Sequence, residues 1–408
     1  MTRPLRRLLV VANTDWFVYN FMLPFLELHA RHAMGVFAAT PAGPYAAELR
    51  RAGFEWVEVP MSRGRGTPGE AVRLRRRIRT IQAEVRPDVV HFVTAKCVLA
   101  GWLAHPGVDG PGVVNVLPGL GHAFASRSLL SVFDRWAIRG GVRRAAALPN
   151  AVTVFHQSAD RAAILAGWPV PADRSRLIPG WGVDLAKFDG RSRRSNPPIV
   201  ALIGRMLWTK GVGEFVEASR LVRGALRSRF VLVGAPDEGN PASIPVAQLE
   251  AWSREGVVEW WGQRADVPGI LRQTSVCVLP TRYAEGVPQT LLEAAAMRVP
   301  LVASDVAGCR EVVVPGETGL LVPPGEVESL ASAIRRILTR SDEARQLGAR
   351  ARAFVSRRFS VRRLYEAYLD VYRTLGFAVP PATGQERRSR PHPVRMKRQS
   401  RTTRGGRT

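Results

Sequence analysis

Glu285-Gly-Val-Pro-Gln-Thr-Leu-Leu-Glu293 is the stretch on which the reading of this chain turns. The strand-like Val276-Cys-Val-Leu-Pro280 precedes it, and Thr290 to Met297 continues it as a run of high helix propensity. Gly286 and Pro288 fit a loop that enters the helix N-terminus. Strand, Gly/Pro loop and helix in that order make an anion or nucleotide site, because loop amides and the helix dipole both favour negative charge. Taken alone, two carboxylates eight positions apart are a solvated loop residue and one helix-face residue. A second stretch with matching chemistry changes that.

The second stretch is Gly204-Arg-Met-Leu-Trp-Thr-Lys210-Gly211. It follows the strand-length apolar run Pro198 to Ile203 and precedes Val212 to Leu221, which has helical periodicity. Arg205 and Lys210 thus stand at the C-terminal end of a strand, where open α/β sheets bind ligands. Arg grips phosphate oxygens through its planar fork and Lys adds a point charge, so the pair suits a diphosphate. It is not a Walker A loop, since the glycine spacing and the Lys-Ser/Thr are missing.

These two stretches, with Gly180-Trp-Gly-Val-Asp184, Leu279-Pro280, Ala307-Gly308, Glu311-Val312 and Gly319-Leu-Leu-Val322, resemble the retaining, nucleotide-sugar-dependent glycosyltransferases of family 4. The resemblance runs from about residue 6 to about residue 376. It implies an α/β GT-B fold: two Rossmann-like doubly wound domains facing an interdomain cleft. It implies that Arg205 and Lys210 neutralise a departing diphosphate and that Glu293 holds the ribose hydroxyls. Glu285, with the backbone of Gly286, Val287 and Pro288, would orient the sugar. Gly204, Gln263 and Arg264 join the donor-binding set, with the base docking near Trp260 to Arg264. Asn13, Gly119, Gly121 and His122 fall on the acceptor side. The donor implied is a UDP- or GDP-linked hexose or N-acetylhexosamine. The acceptor implied is a lipid-linked sugar or oligosaccharide in cell-surface polysaccharide synthesis. No separate cofactor is implied, and with no Asp-x-Asp anywhere, no metal is expected: the two cations would do its work. The chain departs from the family pattern at Met22, where relatives have Arg, at Thr209, where Asp is common, and at Ala284, where many have Arg. Arg282 is placed to compensate for the last.

Composition agrees with an enzyme of two domains. The chain has 408 residues, 46% hydrophobic and 23% charged, as soluble globular proteins do. Cys97, Cys277 and Cys309 are far apart and form no CxxC pair, which disfavours disulfides and zinc and favours buried thiols in a reducing compartment. No segment reaches the ~20 apolar residues of a membrane span. The opening apolar run stops at Asn13 and Asp15, as a first strand does and a signal peptide does not, so a cytoplasmic location is expected.

The formal charge is +25, of which residues 1–190 carry 24 basic against 14 acidic groups and the tail from Val379 nine against one. A basic body points to anionic ligands or an anionic surface. The expected division is an acceptor-side domain over 1–190, a nucleotide-sugar domain over 191–355, a returning C-terminal helix over 356–378 and a disordered basic tail over 379–408. Arg191 to Pro198 reads as the linker. Within the first domain, Asn13 to Phe17 reads as a loop leading to a helix over Phe21 to His29. Ala71, Leu74, Ile78, Ile81 and Val85 follow the spacing of one buried helical stripe. In the second domain strands are expected at Ile199–Ile203, Phe230–Gly234, Val257–Trp261, Val276–Leu279 and Leu301–Ser304.

Two other readings remain open at this stage. A nucleotide-sugar 2-epimerase on the same fold class would need further acid/base groups in the cleft. A nucleic-acid binder is suggested by charge alone, but no aromatic interleaving or known nucleic-acid motif accompanies it, so no nucleic-acid partner is expected. Finally, Ser128 to Arg144 sets Leu129, Phe133 and Trp136 on one helical face beside Arg135, Arg139 and Arg143. For one helix alone that pattern is ordinary core. With the lipid-linked acceptor that the resemblance implies and no membrane span, peripheral binding to the anionic inner face of the cytoplasmic membrane is expected.

Overall fold

A computed structural model describes residues 2–32, 34–62, 67–105, 107, 109–119, 129–166, 172–190, 195–283 and 285–380. Two parallel sheets organise it. The first takes β2 (Arg7–Ala12), β3 (Gly35–Thr40), β4 (Glu55–Glu58), β5 (Val89–Val93), β6 (Gly112–Leu117), β7 (Ala151–Phe155) and β8 (Ser175–Leu177). Its order is β4-β3-β2-β5-β6-β7-β8. The second takes β9 (Ile199–Ile203), β10 (Arg229–Val233), β11 (Glu259–Gly262), β12 (Thr274–Leu279), β13 (Leu301–Ser304) and β14 (Leu320–Val322), in the order β11-β10-β9-β12-β13-β14. Both are open, doubly wound sheets. The central strands are mostly apolar and buried along their whole length, as sheets covered on both faces require.

In each sheet the strand order reverses once, between β2 and β5 and between β9 and β12. Ligand crevices open at the C-terminal ends of such a pair. The loops that follow β9 and β12 are the two stretches singled out in the sequence, and the reversal makes them neighbours.

A small sheet ties the chain's two halves together. β1 (Arg3–Pro4) pairs in parallel with β15 (Phe377–Ala378), and the helix Val361–Thr374 packs on the helix Leu23–Arg31 of the first domain. Leu364, Tyr365, Tyr368, Val371 and Tyr372 are buried in the first domain's core beside Phe25 and Leu26. The returning helix expected from resemblance is therefore part of that core. A buried polar chain fixes its register. His29 Nδ1 donates to the Phe25 carbonyl at 2.8 Å, leaving Nε2 bare to accept from the Tyr372 hydroxyl at 2.8 Å. The Tyr372 oxygen in turn accepts from His91 Nε2 at 3.1 Å. That assignment leaves His91 Nδ1 an unprotonated nitrogen, and it is buried without a partner. Burial holds His29 at about 3 and His91 well below its ordinary value, so both rings stay neutral.

Several expectations need correction. Asn13 to Phe17 is not all loop: a helical turn starts at Asp15, capped by Thr14 Oγ1 accepting from Phe17 N at 3.1 Å. One π turn, Val18–Met22, follows, and the α-helix resumes at Leu23. The wider turn falls just ahead of Pro24, which has no N–H to continue the α pattern. Met22 is fully buried in the core, so the side chain that replaces the family's Arg is a packing residue here. Ala71 is exposed, because the helix Pro68–Val85 meets the sheet only from Leu74 onward. β4, β8 and β14 were not foreseen. They are edge strands of three or four residues, too short to show a period. Residues 191–194 of the linker and 381–408 of the tail lie outside the described residues. All three cysteines are buried and unbridged, and desolvation pushes the thiols of Cys97 and Cys277 up to about 12.

Candidate functional site

The loop after β9 and the loop after β12 are bonded to each other. The Thr209 carbonyl accepts from Arg282 N at 2.9 Å and from Thr281 Oγ1 at 3.2 Å. Gly211 makes the approach possible: its φ is +75°, and a Cβ there would sit 1.9 Å from the Pro280 carbonyl oxygen. Thr290, at the start of the helix Gln289–Ala296, donates through Oγ1 to the Ile203 carbonyl at 3.0 Å. That bond anchors the helix carrying Glu293 to the end of β9.

Lys210 and Glu285 consequently meet. Lys210 Nζ forms an ion pair with Glu285 Oε2, 75 residues away in sequence, and lies 5.9 Å from the centre of the Tyr283 ring. Glu285 is 8% exposed, and its Oε1 is buried without a partner. A carboxylate with one oxygen fixed and one unbonded is ready to accept a hydrogen bond.

Arg205 and Lys210 both act on the half-buried Tyr283 hydroxyl, but Arg205 is paired with a different acid. Its Nη1 lies 2.6 Å from Asp237 Oδ2, an oxygen that also accepts from Asn240 Nδ2 at 3.1 Å. Arg282 pairs with Glu214, so it is not free to stand in for the Arg missing at Ala284, a position outside the described residues.

Glu293 is partly buried in the middle of the helix Gln289–Ala296, and desolvation pushes its carboxyl up to about 7, against the pull of Lys187 and Gln289. It is therefore poised between its two forms near neutral pH. Trp260 and Trp261 spend their indole N–H groups on the Gly234 carbonyl, at 2.8 Å, and on Glu259, at 3.1 Å. Arg264 is exposed, and Gln263 reaches the first domain, its Nε2 lying 3.3 Å from the Tyr45 hydroxyl. Gly204 closes β9 by donating its N–H to the Val233 carbonyl at 2.9 Å.

The first domain meets residues 285–287 directly. Gly119 lies against Gly286, and Gly180 packs on Val287. Pro288 is the extended residue from which the Gln289–Ala296 helix starts. Asn13 is partly buried at the end of β2, while Gly121 and His122 lie outside the described residues. Sequence reading missed Asp237 and Gln157, the latter donating to the Glu285 carbonyl across the cleft. Both follow the C-terminal end of a parallel strand, and that position is the signal that could have found them. Among the described residues no cluster of His, Cys, Asp and Glu is arranged to hold a metal ion.

The proposed basic-aromatic face is altered. Trp136 is 76% exposed on the helix Leu129–Ala146, but Arg143 turns inward. Its guanidinium caps the end of the helix Ser158–Leu165, donating to the carbonyls of Ile164 at 2.8 Å and Ala166 at 2.6 Å. The side chains of Leu129, Phe133 and Arg135 lie outside the described residues.

Two opposed, doubly wound α/β domains make the GT-B architecture, and the cation–carboxylate pair lies at the strand reversal of the second. Residues 197–340 match the family described as glycosyl transferases group 1, and the chain carries that domain. It is 25% identical over 334 residues to a Campylobacter jejuni N,N'-diacetylbacillosaminyl-diphospho-undecaprenol alpha-1,3-N-acetylgalactosaminyltransferase, covering 79% of this chain and 86% of that one. It is 28% identical over 257 residues to an alpha-D-kanosaminyltransferase of Streptomyces kanamyceticus, covering 59% and 64%. Among solved structures, Anabaena HepE in complex with UDP superposes with a TM-score of 0.71 at 18% identity, over 91% of this chain and all of that one.

Proposed function

We propose that this glycosyltransferase is a retaining enzyme of family 4 that moves a hexose or N-acetylhexosamine from a nucleoside-diphosphate sugar to a hydroxyl group. The acceptor is a lipid-linked sugar or oligosaccharide of cell-surface polysaccharide synthesis. The observation that carries this reading is the Lys210–Glu285 pair, set where the loops after β9 and β12 meet. Departure of a diphosphate needs positive charge already in place where negative charge develops. Lys210 supplies it, and a bound diphosphate competes with Glu285 for the ammonium. Arg205 swings from Asp237 to the same phosphates. Glu285, once released, and the backbone of residues 286–288 take the transferred sugar. Glu293 takes the ribose hydroxyls, and Gln263 and Arg264 border the base. The leaving phosphate accepts the acceptor's proton on the same face of the sugar, which retains configuration. UDP or GDP is the nucleotide we favour, and the two cations replace a metal. Similarity to a transferase named for a diphospho-undecaprenol substrate supports a lipid-linked acceptor. The exposed Trp136 and the basic body support peripheral binding at an anionic membrane surface. Among the described residues no helix is long and apolar enough to cross a membrane.

The test is a thermal-shift panel of UDP-, GDP-, ADP- and dTDP-sugars, followed by product analysis with the stabilising donor. Saturating donor at ~100 times its dissociation constant stabilises by about 2.7 kcal/mol. Lys210→Ala should lower turnover by about 10²-fold. Normal turnover in a folded Lys210→Ala protein removes Lys210 from the mechanism, and isomerised donor without acceptor would favour the epimerase.

A further inference from the structure

Gln157 occupies the N-cap of the helix Ser158–Leu165 with extended backbone, φ −132° and ψ 137°, yet its side chain makes no capping bond. Ser, Thr, Asp or Asn are the residues that cap there. Gln157 instead is 6% exposed, and its Nε2 donates across the cleft to the backbone carbonyl of Glu285. Two other segments of the first domain touch the next two residues. A Cβ on Gly286 would lie 2.7 Å from the Pro118 carbonyl oxygen, and one on Gly180 would lie 3.2 Å from Val287 Cβ. Only the Gln157 contact is a directional bond. Glu285 is thus held at its main chain by one domain and at its carboxylate, through Lys210, by the other.

We propose that Gln157 is a positioning residue that makes the aim of Glu285 conditional on the seating of the two domains. With the domains seated, the amide fixes the 285–287 backbone and presents the unbonded Oε1 of Glu285 to the cleft. With the domains apart, that bond is lost and Glu285 keeps only Lys210. The bond ends on a main-chain oxygen and not on Lys210, Arg205 or Glu293, so it governs the transfer step far more than nucleotide affinity.

The full-length protein tests this with Gln157→Ala and Gln157→Glu. Amide hydrogen exchange of the 285–292 segment, without ligand, should be about five- to tenfold faster in Gln157→Ala, the loss of one net hydrogen bond. With the donor that stabilises the protein in the panel above, kcat should fall about tenfold. The dissociation constant of the matching nucleoside diphosphate should stay within about twofold. Gln157→Glu separates donation from packing. The introduced carboxyl can donate to the Glu285 carbonyl only when protonated, and burial raises it above its usual ~4.3. Its exchange and kcat, each divided by those of Gln157→Ala at the same pH, should move toward wild type between pH 8 and pH 5.5. His156, held at about 3 by burial, stays neutral throughout, and the titration of Glu293 is common to both variants. Unchanged exchange in Gln157→Ala, or matching pH profiles for the two variants, overturns the proposal. So does loss of nucleotide affinity in step with kcat. The exchange measurement does not depend on transferase chemistry, so its failure is distinguishable from failure of the functional reading.

Discussion

Glu293→Gln should make the protein more stable, by a margin that opens above about pH 4.5 and is complete above about 7. Desolvation raises the Glu293 carboxyl from 4.5 to about 7 in the folded chain. The folded state therefore holds this proton more tightly than the unfolded state does. The stability contribution is full below about 4.5, declines as pH rises, and is gone above about 7. The interval converts to about 3 kcal/mol, net of the opposing pull of Lys187 and Gln289. Gln is neutral at every pH and keeps the side chain's shape and its capacity to hydrogen-bond. At pH 5 the variant should melt only about 1 °C higher, whereas at pH 8 it should melt roughly 5 °C higher. Melting curves at pH 5, 6, 7 and 8 under constant ionic strength read this directly. An equal difference at pH 5 and pH 8, or a variant that melts lower at pH 8, refutes the assignment of a desolvated carboxyl to Glu293. A carboxylate held at such a cost is one that the proposed ribose contact would explain.

Tyr372→Phe removes the hydroxyl between His29 and His91, leaving an imidazole acceptor and an N–H donor buried and unpaired. We expect a loss of about 2–3 kcal/mol in denaturant unfolding; a change under about 0.5 kcal/mol would show that the chain of bonds does not hold the returning helix. Full-length protein should float with anionic vesicles at low salt and release at high salt, and Trp136→Ser should weaken flotation about tenfold. Absence of flotation at low salt would leave a soluble acceptor or a partner protein as the alternative.

The alternation of strands and helices, and the two loops of the site, were legible because each depends on residues close in sequence. Pro198 to Ile203 and Val276 to Pro280 are unbroken apolar runs, and Gly211 and Gly286 mark where chain must pass close to chain. The pairing of Lys210 with Glu285 was not foreseen; it follows from β9 and β12 lying side by side. Asp237 and Gln157 were not legible. Nothing local distinguishes Asp237 from another loop acid, and Gln157 earns its role from a carbonyl 128 residues away. Arg143 was misread for the converse reason. Its helical spacing places it beside an apolar stripe in the sequence, but the free carbonyls at the end of a neighbouring helix are nearer.

The return of Val361–Thr374 to the first domain also has a consequence for synthesis on the ribosome. Met22, Phe25 and Trp181 are made early, but the Leu364, Tyr368 and Tyr372 side chains that cover the same core come about 180 residues later. At ~5–20 residues per second, the nascent first domain waits roughly 10–40 s with an apolar flank uncovered. During that wait the second domain can complete its own sheet, since β9 to β14 all precede the returning segment. The last step of folding is then the closing of the first domain by the chain's far end. A ribosome stalled before Val361 releases a finished second domain attached to an open first one, a species for chaperones and proteases rather than for catalysis.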